Sequence, residues 1–370
     1  MKKKILLGCF DVPGWGGAST SSYKLFELMR NDGLEVTFLN IIAEKDADYF
    51  RYLFAEKIGN PKGLEDVYNC FLEGPTFHPQ PELEKLINKL DPDIIVGVGW
   101  VASLLIKREA PTRKLIYVTS GCDQVDKYII RKEWSDFISI YNYIQKSNNH
   151  LELTSQAERE AVDSADLVIA HSDVNLFLYK YFFWRLSGKI YSEIIWFAEW
   201  IYKDALDYEI LKKPFDEREI DLIFIASSWS RPEKNYKLVR ELTSRLKDLN
   251  IHVAGELENK DNNATYHNLI TDREVLYGLL GNSKTIICPS LFDAAPGILF
   301  EASPMGCNII TSKNSGNWML CNEELLVDPF NLTNFFDKIS LSLKKKYDDN
   351  IDYFLRTNSY KSLIETILLF

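Results

Sequence analysis

Short apolar runs alternate with helical patterns along almost the whole chain, and this alternation constrains the fold more than any other feature. The runs at 5–10, 36–41, 94–98, 115–118, 167–170 and 190–196 are apolar on both faces, as are those at 222–226, 251–254, 285–288, 308–311 and 325–327. Strands this short and two-sided belong in buried parallel sheets, because crossover helices cover both faces. Between them lie helical stripes such as Leu25, Phe26, Leu28 and Met29, or Leu238, Val239, Leu242, Leu246 and Leu249. Repeated strand–helix units predict a doubly wound α/β architecture.

At 370 residues the chain is long for one domain and comfortable for two. The charged stretch 211–219, just ahead of a fresh apolar strand, is the best boundary. The expected division is residues 1–199 and 200–351, with a last helix at 352–370 packing back on the first domain. A polar, aromatic insertion spans 123–163. Apolar residues are 46% of the chain and charged residues 26%, so a folded globular protein is expected and disorder is not. The net charge of −10 argues against non-specific nucleic-acid binding, which needs a basic face. Six cysteines form no CxxC pair, which signals neither zinc nor a redox couple and suits a reducing cytoplasm. The apolar run after Lys4 stops at Asp11, too short for a signal peptide, and reads as a first buried strand.

The richest segment is 288–306. It reads strand, loop, helix, then Gly306 before the next strand. Pro296 suits a first helical turn, and the amides of Ala295 and Gly297 would face the sheet's carboxyl edge, where open α/β folds bind ligands. Asp293 stands at that edge. Glu301 is the sole acid on an apolar helix, where a ligand's hydroxyls would satisfy it. The plain alternative is a solvent-facing Glu. The strand at 222–226 leads into Ser228, Arg231 and Lys234, and two cations beside a helix start suit a diphosphate; a basic surface turn is the alternative. After the first strand, Gly14, Gly16 and Gly17 let backbone approach a phosphate, or simply make a tight connection.

The acid–seven residues–acid spacing of Asp293 and Glu301, followed by Ala302 and Gly306, resembles the EX7E motif of retaining glycosyltransferases of the GT-B fold, in particular family four. That fold pairs two Rossmann-like domains facing across a cleft. The resemblance implies a hexose moved from a nucleoside diphosphate sugar, UDP- or GDP-linked, to a glycan, lipid-linked or small-molecule hydroxyl, with retention, without metal and with no further cofactor. It implies Asp293 on the donor sugar and Glu301 on the ribose hydroxyls. Arg231 and Lys234 fall on the donor phosphates, and Gly16 and Gly17 on a loop reaching donor and acceptor. Ser120 and Gly121 mark the acceptor side, where the family often carries a His and this chain has Thr119-Ser120-Gly121. Asp293 also departs from the family's usual Glu.

Two further motifs are read as decoys. Gly97 and Gly99 fit GxGxxA, but no acid follows at the dinucleotide spacing, so they read as packing. Asp91 and Asp93 mimic a metal-binding DxD yet precede their strand. The aromatic–basic stretch 177–185 reads as a packed helix, with membrane-surface contact the alternative if the acceptor is lipid-linked. The competing functions are an inactive nucleotide-sugar-binding subunit of the same fold and, resting on Gly97 and Gly99 alone, a nicotinamide-dependent dehydrogenase.

Overall fold

The computed structural model describes residues 3–10, 17–43, 66–72, 78–121, 153–191, 195–258, 260, 262–357 and 359–370. The chain divides into two units, one holding the described residues up to 121, residues 153–191 and Tyr360–Phe370, the other Ile195–Ser359.

The first unit is built on β1 (Lys4–Phe10), β2 (Glu35–Ile42), β3 (Val67–Phe71), β4 (Ile94–Val98), β5 (Leu115–Val118), β6 (Leu167–Ile169) and β7 (Ile190–Tyr191). They form one parallel sheet in the order β3-β2-β1-β4-β5-β6-β7. Its helices are α1 (Gly17–Asn31), α2 (Pro81–Leu90), α3 (Trp100–Glu109), α4 (Leu153–Ser164) and α5 (Asp173–Phe182). Leu6, Leu7, Phe38, Val96, Ile116 and Val168 are wholly buried, as expected where helices cover both faces. Gly97 is a packing residue: a Cβ there would lie 2.8 Å from the Ser103 Cα, so its absence lets α3 lie close on β4. Asp91 and Asp93 sit before β4 in structural roles. Asp91 pairs with Arg113 at 2.5 Å, and Asp93 accepts from the Lys4 amide at 2.8 Å.

The second unit carries β8 (Ile220–Ser228), β9 (Ile251–Glu256), β10 (Thr265–His267), β11 (Ser283–Ile287), β12 (Asn308–Ser312) and β13 (Leu326–Val327). All are parallel, in the order β10-β9-β8-β11-β12-β13. Its helices are α6 (Ala198–Leu206), α7 (Tyr236–Arg245), α8 (Arg273–Gly281), α9 (Ile298–Ala302), α10 (Leu332–Ser342) and α11 (Ile351–Thr357). Arg218, from the charged stretch before β8, is buried and has no carboxylate partner among the described residues. Its guanidinium donates instead to the carbonyls of Lys213, Ser283, Met305 and Gly306 at 2.7–3.0 Å.

The last helix, α12 (Tyr360–Leu369), belongs to the first unit. Lys3 donates to the Leu368 carbonyl at 2.8 Å, and the Tyr360 hydroxyl to Asp32 at 3.0 Å. Two edge strands, β3 and β10, are absent from the apolar runs of the sequence, and the described residues of the run at 190–196 include the two-residue strand β7. On α5, Val174, Leu178 and Tyr179 are buried while Phe177 is 52% exposed. Among the described residues no helix is long and apolar enough to cross a membrane.

Candidate functional site

At the switch point of a doubly wound sheet, neighbouring connections leave in opposite directions and open a crevice at the strands' carboxyl ends. In the second unit that point lies between β8 and β11. After β8 the chain is pinned by Trp229, whose buried indole donates to the Ala254 carbonyl at 2.9 Å. Ser228 and Ser230 share a hydroxyl hydrogen bond of 2.8 Å. A 3-10 turn, Pro232–Lys234, then ends at Asn235 in the left-handed region (φ 58°), which Asn tolerates better than most residues. The Asn235 amide donates to the Pro289 carbonyl at 3.0 Å, and the Leu291 amide to the Glu233 carbonyl at 2.8 Å. These two bonds tie the segment after β8 to the segment after β11.

That tie brings Lys234 to Asp293: Nζ donates to Oδ2 at 2.5 Å, and both side chains are largely shielded. Burial opposes the ammonium charge, but the adjacent Asp293 carboxylate outweighs it and holds Lys234 above the usual lysine range. Asp293 is clamped from the other side, donating its amide to the Asn314 carbonyl at 3.1 Å while its carbonyl accepts from the Gly316 amide at 3.0 Å. Arg231 is half exposed and its Nη2 meets Oε1 of the buried Glu233, an ionic contact outside directed hydrogen-bond geometry. Each of the two candidate phosphate cations therefore faces an acid.

The helix expected from Pro296 begins two residues later. Ala295 and Pro296 lie in the loop, Gly297 is the N-cap, and α9 covers only Ile298–Ala302. The Asn317 side-chain amide donates to the Pro296 carbonyl at 2.7 Å, holding that residue in the loop. Glu301 is shielded as expected, but its partner is a protein group: Arg273 Nη1 donates to Oε1 at 2.6 Å. Burial raises the Glu301 carboxyl above its ordinary range, Arg273 opposes this, and Asp204 adds to it. Asp204 in turn lies 3.6 Å from Arg273 Nε and accepts from the Tyr277 hydroxyl at 3.0 Å. Neither Arg273, Asp204 nor Tyr277 carries a sequence signal, because the cluster is assembled from three separate helices.

In the first unit, Ser120 is exposed and Gly121 half-buried just after β5. Beneath them is a buried polar cluster. The Gly121 carbonyl accepts from the Tyr179 hydroxyl at 3.1 Å, and Tyr179 also meets Tyr117 at 2.6 Å and Glu158 at 2.7 Å. The sequence lacks a His after β5, but one stands after the neighbouring β6. His171 Nδ1 lies 3.0 Å from both Thr119 Oγ1 and Asn175 Nδ2. Its signal was its place, the first residue past the apolar run 167–170, at the sheet's carboxyl edge. Gly17 is exposed, with open space where a Cβ would stand; Gly16 lies outside the described residues. Among the described residues no group of three or more His, Cys, Asp or Glu could hold a metal ion.

No protein-family model matches the chain, and no curated protein matches it. Solved structures do match over essentially the full length. Sucrose-phosphate synthase from Thermosynechococcus elongatus is 14% identical, with a TM-score of 0.66 over 98% of this chain and 97% of that one. HepE (Alr3699) of Anabaena, solved in complex with UDP, is 14% identical with a TM-score of 0.65 over the whole of both chains. The UDP-GlcNAc 2-epimerase of Methanocaldococcus jannaschii is 14% identical with a TM-score of 0.54 over 99% of each chain. At such identities the likeness is one of fold: two parallel sheets with flanking helices, the architecture of the GT-B glycosyltransferases.

Proposed function

We propose that the chain is a nucleotide-sugar-dependent glycosyltransferase that moves a hexose to an acceptor hydroxyl with retention at the anomeric carbon. The observation that carries this reading is the meeting of Lys234 and Asp293 at the β8/β11 switch point, with Glu301 eight residues further on. HepE, of the same fold, has been solved with UDP and with UDP-glucose, which supports a UDP-linked donor. A GDP-linked donor is the alternative.

In this mechanism Lys234 and Arg231 exchange their acid partners for oxygens of the departing diphosphate and stabilise its charge. Asp293, released from Lys234, accepts from the sugar's hydroxyls. Glu301 accepts from the ribose. Ser228 and the amides of Ala295 and Gly297 line the same edge around Pro296, and the family resemblance assigns Gly16 and Gly17 to the donor phosphates. Ser120 and Gly121 face the acceptor, a glycan, lipid-linked or small-molecule hydroxyl. No base is needed if the leaving phosphate takes the acceptor's proton on the same face, which favours retention. We propose a cytoplasmic reaction, with peripheral contact at the inner membrane face if the acceptor is lipid-linked.

One observation favours a second reading. Both candidate cations are already paired with carboxylates, as suits a protein of this fold that binds a nucleotide sugar without transferring it. A panel of UDP- and GDP-hexoses assayed for slow hydrolysis and transfer separates the two. Turnover with one donor supports the transferase; tight binding without turnover refutes it. Proton NMR of the product then reads the linkage, and inversion of the donor's anomeric configuration would refute retention. NADH binding by isothermal titration would revive the dehydrogenase.

A further inference from the structure

The ion pair between Glu301 and Arg273 is asymmetric. The carboxylate side chain is 13% exposed and the guanidinium side chain 38%. Arg273 is braced from behind. Asp204 Oδ2, on α6, lies 3.6 Å from its Nε, and the Tyr277 hydroxyl lies 3.5 Å from its Nη1 while donating to the same Asp204 oxygen at 3.0 Å. The aliphatic stem leads the guanidinium over the Tyr277 ring, 5.9 Å from its centroid. The groups acting on Glu301 are thus Arg273 and Tyr277 from α8 and Asp204 from α6. Glu199 pairs with Lys203 on α6, Glu209 pairs with Lys212, and Glu274, the other charge on α8, is exposed.

A carboxylate this shielded is disfavoured as an anion unless a cation holds it. We propose that Arg273 is the positioning residue of the nucleotide site: it keeps Glu301 ionised and commits Oε1, so that Oε2 is the oxygen offered to a ribose hydroxyl. Asp204 keeps Arg273 in register for that task. The inference rests on Glu301 accepting from the ribose.

The test titrates UDP, with GDP alongside, into the wild type, Arg273→Gln, Arg273→Lys and Glu301→Gln from about pH 6.5 to about pH 8.5, a range in which unpaired buried carboxyls titrate. Wild-type affinity should be flat across that range. Arg273→Gln should bind about tenfold more weakly at the acid end and recover as pH rises, because a protonated carboxyl loses its charge-assisted hydrogen bond. Arg273→Lys should restore the flat profile. Weakening that is independent of pH would mean Arg273 only supports the fold, and would overturn the proposal. Arg273→Met, which keeps the stem over Tyr277, replaces the Gln variant if that one does not fold. Carbon-13 NMR of the nucleotide-free proteins gives an independent reading, with the Glu301 carboxyl assigned by its absence in Glu301→Gln. Its titration should move to higher pH in Arg273→Gln, and an unmoved titration overturns the proposal. A folded Glu301→Gln that binds UDP as tightly as wild type would instead overturn the ribose assignment, whatever the carbon-13 result.

Discussion

The Lys234–Asp293 pair makes an expectation opposite to the usual effect of deleting a candidate catalytic acid. In the nucleotide-free protein the ammonium is spent on Asp293 at 2.5 Å, with side chains only 16% and 14% exposed. A diphosphate must compete with that carboxylate for Lys234. A hydrogen bond to a charged group contributes about 1.5–3 kcal/mol net, which is about ten- to a hundredfold in an equilibrium constant. Asp293→Asn removes the competing charge and keeps an acceptor of the same shape. UDP should therefore bind more tightly to the variant, by about tenfold if half or more of that competition is lifted. Sugar transfer should fall, because the group proposed to orient the hexose has lost its charge. As pH rises, UDP affinity should also begin to fall at a lower pH in the variant than in the wild type. Burial pushes the ammonium down, and without Asp293 nothing nearby of comparable strength holds it up. Isothermal titration with UDP, beside a transfer assay on the same preparation, reads both effects. A folded Asp293→Asn that binds UDP no better than wild type would refute the reasoning, and with it the claim that Lys234 reaches the phosphates.

Three further outcomes are expected. Glu301→Ala should weaken UDP binding by about 1.5–3 kcal/mol while the protein stays folded, as calorimetry and circular dichroism would show. Turnover should survive EDTA, since Arg231 and Lys234 supply the positive charge; activity lost on chelation and restored by manganese would reverse this. Arg218→Met should lower the thermal midpoint, because it leaves up to four carbonyls without their donor at about 1–3 kcal/mol for each one that stays buried. Differential scanning calorimetry would check it, and an unchanged midpoint would mean water replaces the guanidinium.

The sheet cores were legible because strands such as β8 and β11 are buried on both faces, so their apolar runs stand out against any helix. The edge strands were not. Val67-Tyr68-Asn69-Cys70-Phe71 and Thr265-Tyr266-His267 each pair on one side only, leave residues half-exposed and so carry polar side chains that break the run. The helix start at Ile298 was misplaced because Pro296 is equally at home in a loop, and what keeps it there is Asn317, from a distant segment. The same limit governs the site. Asp293 and Glu301 announce themselves by spacing along the chain. Their partners Lys234 and Arg273 lie 59 and 28 residues away, and only folding shows which cation each acid meets. His171 stood in plain view, but its contact with Thr119 depends on β5 and β6 being neighbours.

The placement of α12 has a consequence for biosynthesis. The second unit's described residues, Ile195–Ser359, all precede the terminal helix along the chain, so the ribosome finishes them before delivering the helix that closes the first unit. Until residues 360–370 emerge, the floor of the amino-terminal sheet near Lys3 and Lys114 lacks the cover that Leu368 and Phe370 bring. The earlier-made unit must therefore wait, partly open, for the later one. An excised first unit would need that terminal helix grafted on to be complete.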